Sequence, residues 1–298
     1  MTKIKTGMVR PCLETMYEHR RELAPCFIGA PGIGKTQGIY KFAEEKGINV
    51  VTFILSNTVP SEVSGIRMPD KDTKKLEVFD DARMASLKDG DILFFDEILE
   101  APPMLWSACL TLIQDRILAS GRKLPDVFIV AASNEVASPA IIPASVRNRF
   151  MFLEVQFNAE DWCEWFHEKY GVNPHKISTR IKEDSDQYNI LTPRTVEKLY
   201  LWLKDGKNIQ TKKELITTMF DSVVAKYLLD IVSHNRSMQS QIQRAIGDSN
   251  INTDVSAISD MSLKETMEYL QSLPEWEEIS FVLANTEFEE LNKEEVKL

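Results

Sequence analysis

The stretch Pro25-Cys26-Phe27-Ile28-Gly29-Ala30-Pro31-Gly32-Ile33-Gly34-Lys35-Thr36 constrains the fold more than any other part of the chain. It fits Gly-x-x-x-x-Gly-Lys-[Ser/Thr], preceded by a short apolar run and followed by helix-forming residues, which is the context a phosphate-binding loop requires. Glycines let backbone N–H groups close around phosphates, and a helix starting near Lys35 aims the positive end of its dipole at them. Lys35 then sits against the β- and γ-phosphates, and Thr36 offers its hydroxyl to Mg²⁺.

Apolar runs set out the sheet around this loop. After a helix over 37–46 closed by Gly47, residues 49–55 form a β-branched and aromatic run. Ile92-Leu93-Phe94-Phe95 and Val127-Phe128-Ile129-Val130-Ala131-Ala132 are apolar without alternation, as expected of strands covered by helices on both faces. Residues 150–155 supply a fifth strand. The expected fold is therefore α/β, a P-loop parallel five-stranded sheet with helices on both faces and right-handed crossovers. Residues 11–23 read as a helix leading into the first strand, and Pro102-Pro103 start another carrying Leu105, Cys109, Leu112 and Ile113 at helical spacing. Residues 56–90 carry turn residues and broken periodicity, a long elaborated connection of the kind that is usually functional or disordered.

Strand signals stop at Asn158. A helix carrying Trp162, Trp165 and Phe166 runs to Gly171, Thr192-Pro193 opens another that ends near Gly206, and Thr211 to Glu214 form a capping box for a third reaching about Ser233. The aromatic trio reads as helical core. Beyond Arg236 lie a polar stretch, two short helical candidates and a Glu-rich end, 287–297, read as a solvated tail.

The second acidic motif narrows the chemistry. About 60 residues after the loop, four apolar residues lead into Asp96-Glu97 at the carboxyl end of a central strand, where ligands of open α/β sheets bind. Asp96 is placed to hold Mg²⁺ largely through water, and Glu97, one step further out, to polarise the water attacking a γ-phosphate. Asn134, at the end of the next strand, can bond the same water.

With 45 acidic against 35 basic residues and a net charge of −10, nothing in bulk favours nonspecific binding to nucleic acid or anionic membrane. Cys12, Cys26, Cys109 and Cys163 are too far apart for a zinc knuckle and read as free thiols in a reducing compartment. No stretch approaches 18 apolar residues and the N-terminus has no continuous apolar region, so a cytoplasmic protein without membrane contact is expected.

At these motifs the chain resembles the AAA+ ATPases, within them the MoxR-like and dynein-related branch. Gly29-Ala30-Pro31-Gly32-Ile33-Gly34-Lys35-Thr36 match Walker A, Ile92 through Glu97 Walker B, and Ala132-Ser133-Asn134 sensor 1. The segment Pro143-Ala144-Ser145-Val146-Arg147-Asn148-Arg149-Phe150 resembles the arginine-finger segment, with Arg149 as finger and Arg147 as its competitor, and Thr192-Pro193-Arg194 looks like sensor 2. The connection around Ile66-Arg67-Met68 is similar to the segment this branch carries before Walker B. The resemblance covers roughly residues 10 to 235. It implies a nucleotide-binding domain over 1–157, a helical lid over 158–235 and an extension over 236–298 outside the likeness. It further implies ATP and Mg²⁺ held between neighbours of a homo-oligomeric, usually hexameric ring that remodels a client, often a protein bearing a von Willebrand factor A domain. The competing reading is a DNA- or RNA-directed AAA+ machine, such as a helicase loader or restriction motor, which a basic stripe with aromatics would signal and this acidic chain does not show.

Overall fold

The computed structural model describes residues 2–72, 74–134, 144–184, 191–204, 207–249, 251, 255, 258 and 263–286. The chain divides into two compact units, Met1–Asn158 and Ala159–Leu298. In the first, β1 (Thr2–Lys5), β2 (Pro25–Ile28), β3 (Val50–Ile54), β6 (Ile92–Asp96), β7 (Phe128–Ser133) and β8 (Met151–Gln156) make one sheet in the order β1-β8-β2-β7-β6-β3, every pair parallel. Between β3 and β6, β4 (Ile66–Pro69) and β5 (Leu76–Phe79) pair as a separate antiparallel hairpin.

Side-chain alternation divides the core in two. Phe27, Phe94, Phe128, Val130 and Leu153 pack under α1 (Val9–Tyr17) and α2 (Lys35–Lys46). Cys26, Phe53, Phe95, Ile129 and Ala131 pack under α3 (Pro60–Ser64), α4 (Ala82–Ser86) and α5 (Pro103–Asp115), the last through Leu105, Cys109, Leu112 and Ile113. A strand buried on both faces needs apolar residues at every position, which is why β6 and β7 lack alternation. Burial pushes the thiols of Cys26 and Cys109 above their usual range, and all four cysteines are free.

The sheet has six strands rather than the five expected. Thr2-Lys3-Ile4-Lys5 pairs with Leu153 to Gln156 on β8 and forms the edge. It is four mostly exposed residues with one apolar side chain, so its stability comes from the backbone ladder, and lysines on an open edge discourage further pairing. The connection over 56–90 is structured too. Gly65, at φ 71 and ψ 166, turns the chain into the hairpin in a conformation essentially reserved for glycine, and an added Cβ would lie 2.7 Å from Val78 Cγ1. At the hairpin's other end, Asp80 accepts from the backbone N–H and hydroxyl of Ser120.

The second unit is helical: α7 (Ala159–Tyr170), α8 (His175–Asp184), α9 (Pro193–Lys204), α10 (Ile209–Met219), α11 (Ser222–Gly247), α12 (Leu263–Gln271) and α13 (Trp276–Asn285), following α6 (Ala144–Arg147) of the first unit. Trp162 and Phe166 are buried with Tyr170 and Tyr200 in an aromatic cluster, with Trp165 at its edge, as core. The helix expected from Thr211 to about Ser233 is two helices. Asp221 breaks it by accepting from the N–H groups of Val223 and Val224, and α10 already starts at Ile209, leaving Thr211 inside rather than in a cap. With no glycine or proline between Ser222 and Ile246, α11 continues to Gly247 and passes through position 235, where the sequence reading ends the lid. Gly206 and the acidic end 287–297 lie outside the described residues.

The helix α1 stops at Tyr17, short of the expected Leu23, because the carbonyls of Arg20 and Arg21 are taken by the Arg116 guanidinium (2.7 and 3.0 Å). Arg20 Nη2 and Arg21 Nε each donate to the Asp126 carboxylate at 2.8 Å, lashing this loop to the start of β7. Burial alone would raise the Asp126 carboxyl, but Arg21 and Arg20 outweigh it and hold it below the usual carboxylate range. A depressed acid contributes stability above its unfolded pKa of about 3.9 and loses it as pH falls through the folded value. Asp126→Asn is therefore expected to cost about 1 kcal/mol in urea unfolding at pH 7. The difference from the parent should shrink as the acid range is entered; a constant difference across pH would sink the assignment.

Candidate active site

The strands β2, β7 and β6 lie side by side, so their carboxyl ends set Gly29, Asn134 and Asp96-Glu97 along one rim. Gly29 follows β2 where an added Cβ would stand 2.4 Å from the Val155 carbonyl oxygen, so no other residue fits the approach. Gly34, at φ 102, turns the loop into α2 in a left-handed conformation that costs a β-carbon dearly. The loop backbone from Gly29 to Gly34 thus ends on the α2 N-terminus, an anion-binding element by dipole and by unpaired N–H groups.

Lys35, only 7% exposed, donates from Nζ to the carbonyls of Gly29 (2.7 Å) and Ala30 (2.8 Å). The next residue, Thr36, donates its hydroxyl to Asp96 Oδ2 at 3.3 Å across the width of β7. Burial pushes the Asp96 carboxyl above the usual carboxylate range, against the N–H of Glu97 and the Thr36 hydroxyl that stabilise its anion. A hydroxyl and a carboxylate side by side are the hard oxygen pair that suits a cation such as Mg²⁺, which takes one or two protein ligands and completes its shell with water and phosphate.

Glu97 takes a left-handed backbone, φ 56, that turns its side chain away from the strand line, and its Oε2 accepts from the Ser56 hydroxyl. Asn134 donates from Nδ2 to Glu100 Oε1 at 2.9 Å. Gly29 to Thr36, Asp96, Glu97 and Asn134 are therefore gathered at one rim. Ser56 and Glu100 are the residues that sequence reasoning missed. Their only signal is register: Ile54 pairs with Asp96, which carries Ser56 just past the end of β3 toward Glu97.

Arg149 stands elsewhere. It precedes β8, which β1 covers and which is therefore an interior strand next to β2. Arg149 lies at the amino end: Met151 is level with Pro25, and the loop begins beyond Ile28. The four strand steps from Pro25 to Gly29, at about 3.3 Å each, put Met151 about 13 Å below the level of the P-loop, with Arg149 in the turn before it. Its Nε donates to Gln114 Oε1 at 3.1 Å, joined there by Nη2, while Arg147 is exposed on α6. Pro139 and Pro143 lie outside the described residues. Arg194 is exposed in the first turn of α9 in the second unit, where Thr192 Oγ1 caps the helix by accepting from the Thr195 N–H (3.1 Å).

This is the site of a P-loop nucleotide-binding domain, with a Walker A loop and an acidic Walker B strand end separated by one strand. Residues 25–150 match the family model of the AAA domain, dynein-related subfamily. Two uncharacterized proteins of Methanocaldococcus jannaschii are each 29% identical over 133 residues, 43% of this chain. The chain spans about a third of the length of those curated relatives, 35% and 34%. The Holliday junction branch migration complex subunit RuvB of Phytoplasma mali is 24% identical over 215 residues, covering 68% of this chain and 59% of that protein. Among solved structures, a point mutant of Thermotoga maritima RuvB shares the fold at TM-score 0.50 and 15% identity over 89% of this chain and 88% of its own.

Lys35→Ala removes the ammonium held by the loop carbonyls of Gly29 and Ala30. Loss of a charge-assisted bond of about 1.5–3 kcal/mol should weaken ATP binding by about 10- to 100-fold. Titration with a fluorescent ATP analogue checks it, and affinity within about twofold of the parent would contradict the reading of the loop.

Proposed function

We propose that this chain is an ATP-hydrolysing AAA+ motor of the MoxR-like kind that works as a ring, usually of six, and remodels a client protein. The observation that carries this reading is that one chain holds a site in two halves. Lys35, Thr36, Asp96 and Glu97 converge at the carboxyl rim, whereas Arg149 is held at the opposite end of the sheet, beyond four strand steps of about 3.3 Å each. A guanidinium there serves catalysis only by entering a neighbour's site.

In this scheme the P-loop amides and Lys35 bind and orient the triphosphate. Thr36 and Asp96 would hold Mg²⁺, which would supply neutralisation of the triphosphate's charge. Glu97 takes the proton of the attacking water as its oxygen bonds to the γ-phosphorus and the bond to the β-phosphate bridging oxygen breaks. Asn134 orients that water after leaving Glu100. Arg149 of one subunit meets the γ-phosphate of the next, with Arg147 supporting the interface. Arg194 takes the sensor 2 role that the resemblance implies: a cation in the first turn of a helix is disfavoured by the dipole, and an anion relieves it.

The client is proposed to be a protein bearing a von Willebrand factor A domain, on the strength of the resemblance to the MoxR-like branch. Its contact is the β4–β5 hairpin. Ile66 (55% exposed), Met68 (53%) and Phe79 (53%) share one of its faces, so the side chains of Ile66 and Met68 do not anchor a buried loop. A cytoplasmic location is proposed on the same footing, and no helix among the described residues is long and apolar enough to cross a membrane. The second reading, a DNA-directed machine, draws on the likeness to RuvB. Salt-sensitive binding to branched DNA, measured by anisotropy, would favour it over the first.

Glu97→Gln is expected to bind ATP but to lose about 10²–10⁴-fold in turnover, unlike Lys35→Ala, which is impaired in binding itself. Parental turnover would remove Glu97 as the base. Arg149→Ala should lose about 10³–10⁵-fold, and mixing it with Lys35→Ala should restore part of the activity through interfaces that join an intact P-loop to an intact Arg149. Full activity in a proven monomer would overturn the shared site. The Glu97→Gln ring, loaded with ATP, should retain its von Willebrand factor A client, and serines at Ile66, Met68 and Phe79 should release it. Retention unchanged by those serines would clear the hairpin of the role.

A further inference from the structure

Arg149 does not stand alone at the amino end of the sheet. Gln114, exposed in the last turn of α5, accepts from Arg149 Nε (3.1 Å) and Nη2 through the single oxygen Oε1. An arginine carries five N–H donors in a rigid plane. Two of them are spent on Gln114, and they lie on one edge of the guanidinium. The three that remain include the parallel pair on the Nη1–Nη2 edge, the arrangement that matches phosphate oxygens.

Both partners have rigid backbones. Gln114 follows Leu112 and Ile113, which are buried in the core, and Arg149 precedes Phe150, also buried, with Val146 buried under the same turn. Its backbone N–H is bonded to the Val146 carbonyl at 3.1 Å, and Met151 N–H to Ala24 at 2.8 Å. The amide thus fixes the plane of a side chain that otherwise has several rotamers. It does so without opposing charge. A carboxylate in its place would hold the same edge but neutralise the cation that a phosphate is to meet.

We infer that Gln114 is the positioning residue of Arg149, orienting the guanidinium for the nucleotide of the neighbouring subunit through a neutral acceptor. The inference rests on Arg149 acting in trans. It predicts that Gln114 matters only in the subunit that donates the arginine, since Gln114 of the subunit that receives it faces the next interface.

The test uses mixed rings of the full chain, with Lys35→Ala subunits as donors of Arg149 and Arg149→Ala subunits as receivers. Gln114→Ala or Gln114→Glu is placed in one partner at a time, with assembly checked by sedimentation and folding by thermal midpoint. Because a displacement of about 1 Å can cost about 10²-fold, Gln114→Ala in the donor should lower the restored kcat by about tenfold or more. In the receiver the loss should be at least about fivefold smaller. The Gln114→Glu donor should also be poor, although its geometry is kept. Equal losses in the two placements would show a general structural role and overturn the inference, as would an unaffected Gln114→Ala donor or a Gln114→Glu donor as active as the parent. If the unsubstituted pair assembles yet recovers nothing, Arg149 in trans falls and the inference falls with it, an outcome distinct from recovery that ignores Gln114.

Discussion

A buried ammonium at the rim of an apolar sheet is the constraint on which the rest depends. Lys35 sits above strands whose interior positions are phenylalanine, isoleucine, leucine, valine and alanine. Burying a charge there is costly unless strong acceptors surround it. The carbonyls of Gly29 and Ala30 supply two, and they point inward only because Gly29 has no side chain to collide with Val155. The loop's shape and the lysine's position therefore depend on each other. A helix N-terminus beside a cation is an arrangement that suits an anionic ligand such as phosphate.

The same geometry separates the P-loop rim from the end of the sheet that carries Arg149. Parallel strands bring all carboxyl ends to one rim, and each connection must return the chain to the other. After Asp96-Glu97, α5 makes that return: 13 residues at about 1.5 Å each span about 20 Å, enough to cross the sheet from its carboxyl rim to its amino end. Its start is tied to the Walker B turn by Trp106 Nε1 donating to the Ile98 carbonyl at 2.6 Å, and its end carries Gln114. One amphipathic helix, packed on the sheet through Leu105, Cys109, Leu112 and Ile113, thus joins the turn that bears Glu97 to the arginine proposed for the neighbour's site. A displacement of the Walker B turn has a stiff element along which to travel.

What was legible in the sequence follows from where stabilisation comes from. The strands β6 and β7 declared themselves because burial on both faces demands apolar residues throughout, and the P-loop because its glycines answer local backbone requirements. Helix α5 was readable from proline at its start and four buried residues at helical spacing. Edge strand β1 was not, since four mostly exposed residues are held by a ladder to β8, some 150 positions away. Ser56, Glu100 and Gln114 were equally silent: a serine, a glutamate and a glutamine on the surface acquire meaning only when register sets them beside Glu97, Asn134 and Arg149. The break at Asp221 looked like a mid-helix polar residue until its carboxylate was seen capping α11.

The hairpin poses the opposite problem, because physical chemistry argues against what it displays. A two-stranded ribbon with open edges and exposed Ile66, Met68, Leu76 and Phe79 is a site for unwanted pairing. The chain invests in keeping it nonetheless. Gly65 adopts a conformation reserved for glycine, Asp80 is held by Ser120, and charges at Asp70, Lys71, Asp72, Lys74 and Lys75 ring the turn in the way that residues guarding against aggregation do. A connection that merely linked β3 to β6 could be shorter and polar. Contiguous exposed apolar surface, anchored at its base and flanked by charge, is the pattern of a surface maintained for contact. That is why the client contact in this scheme is assigned to the hairpin.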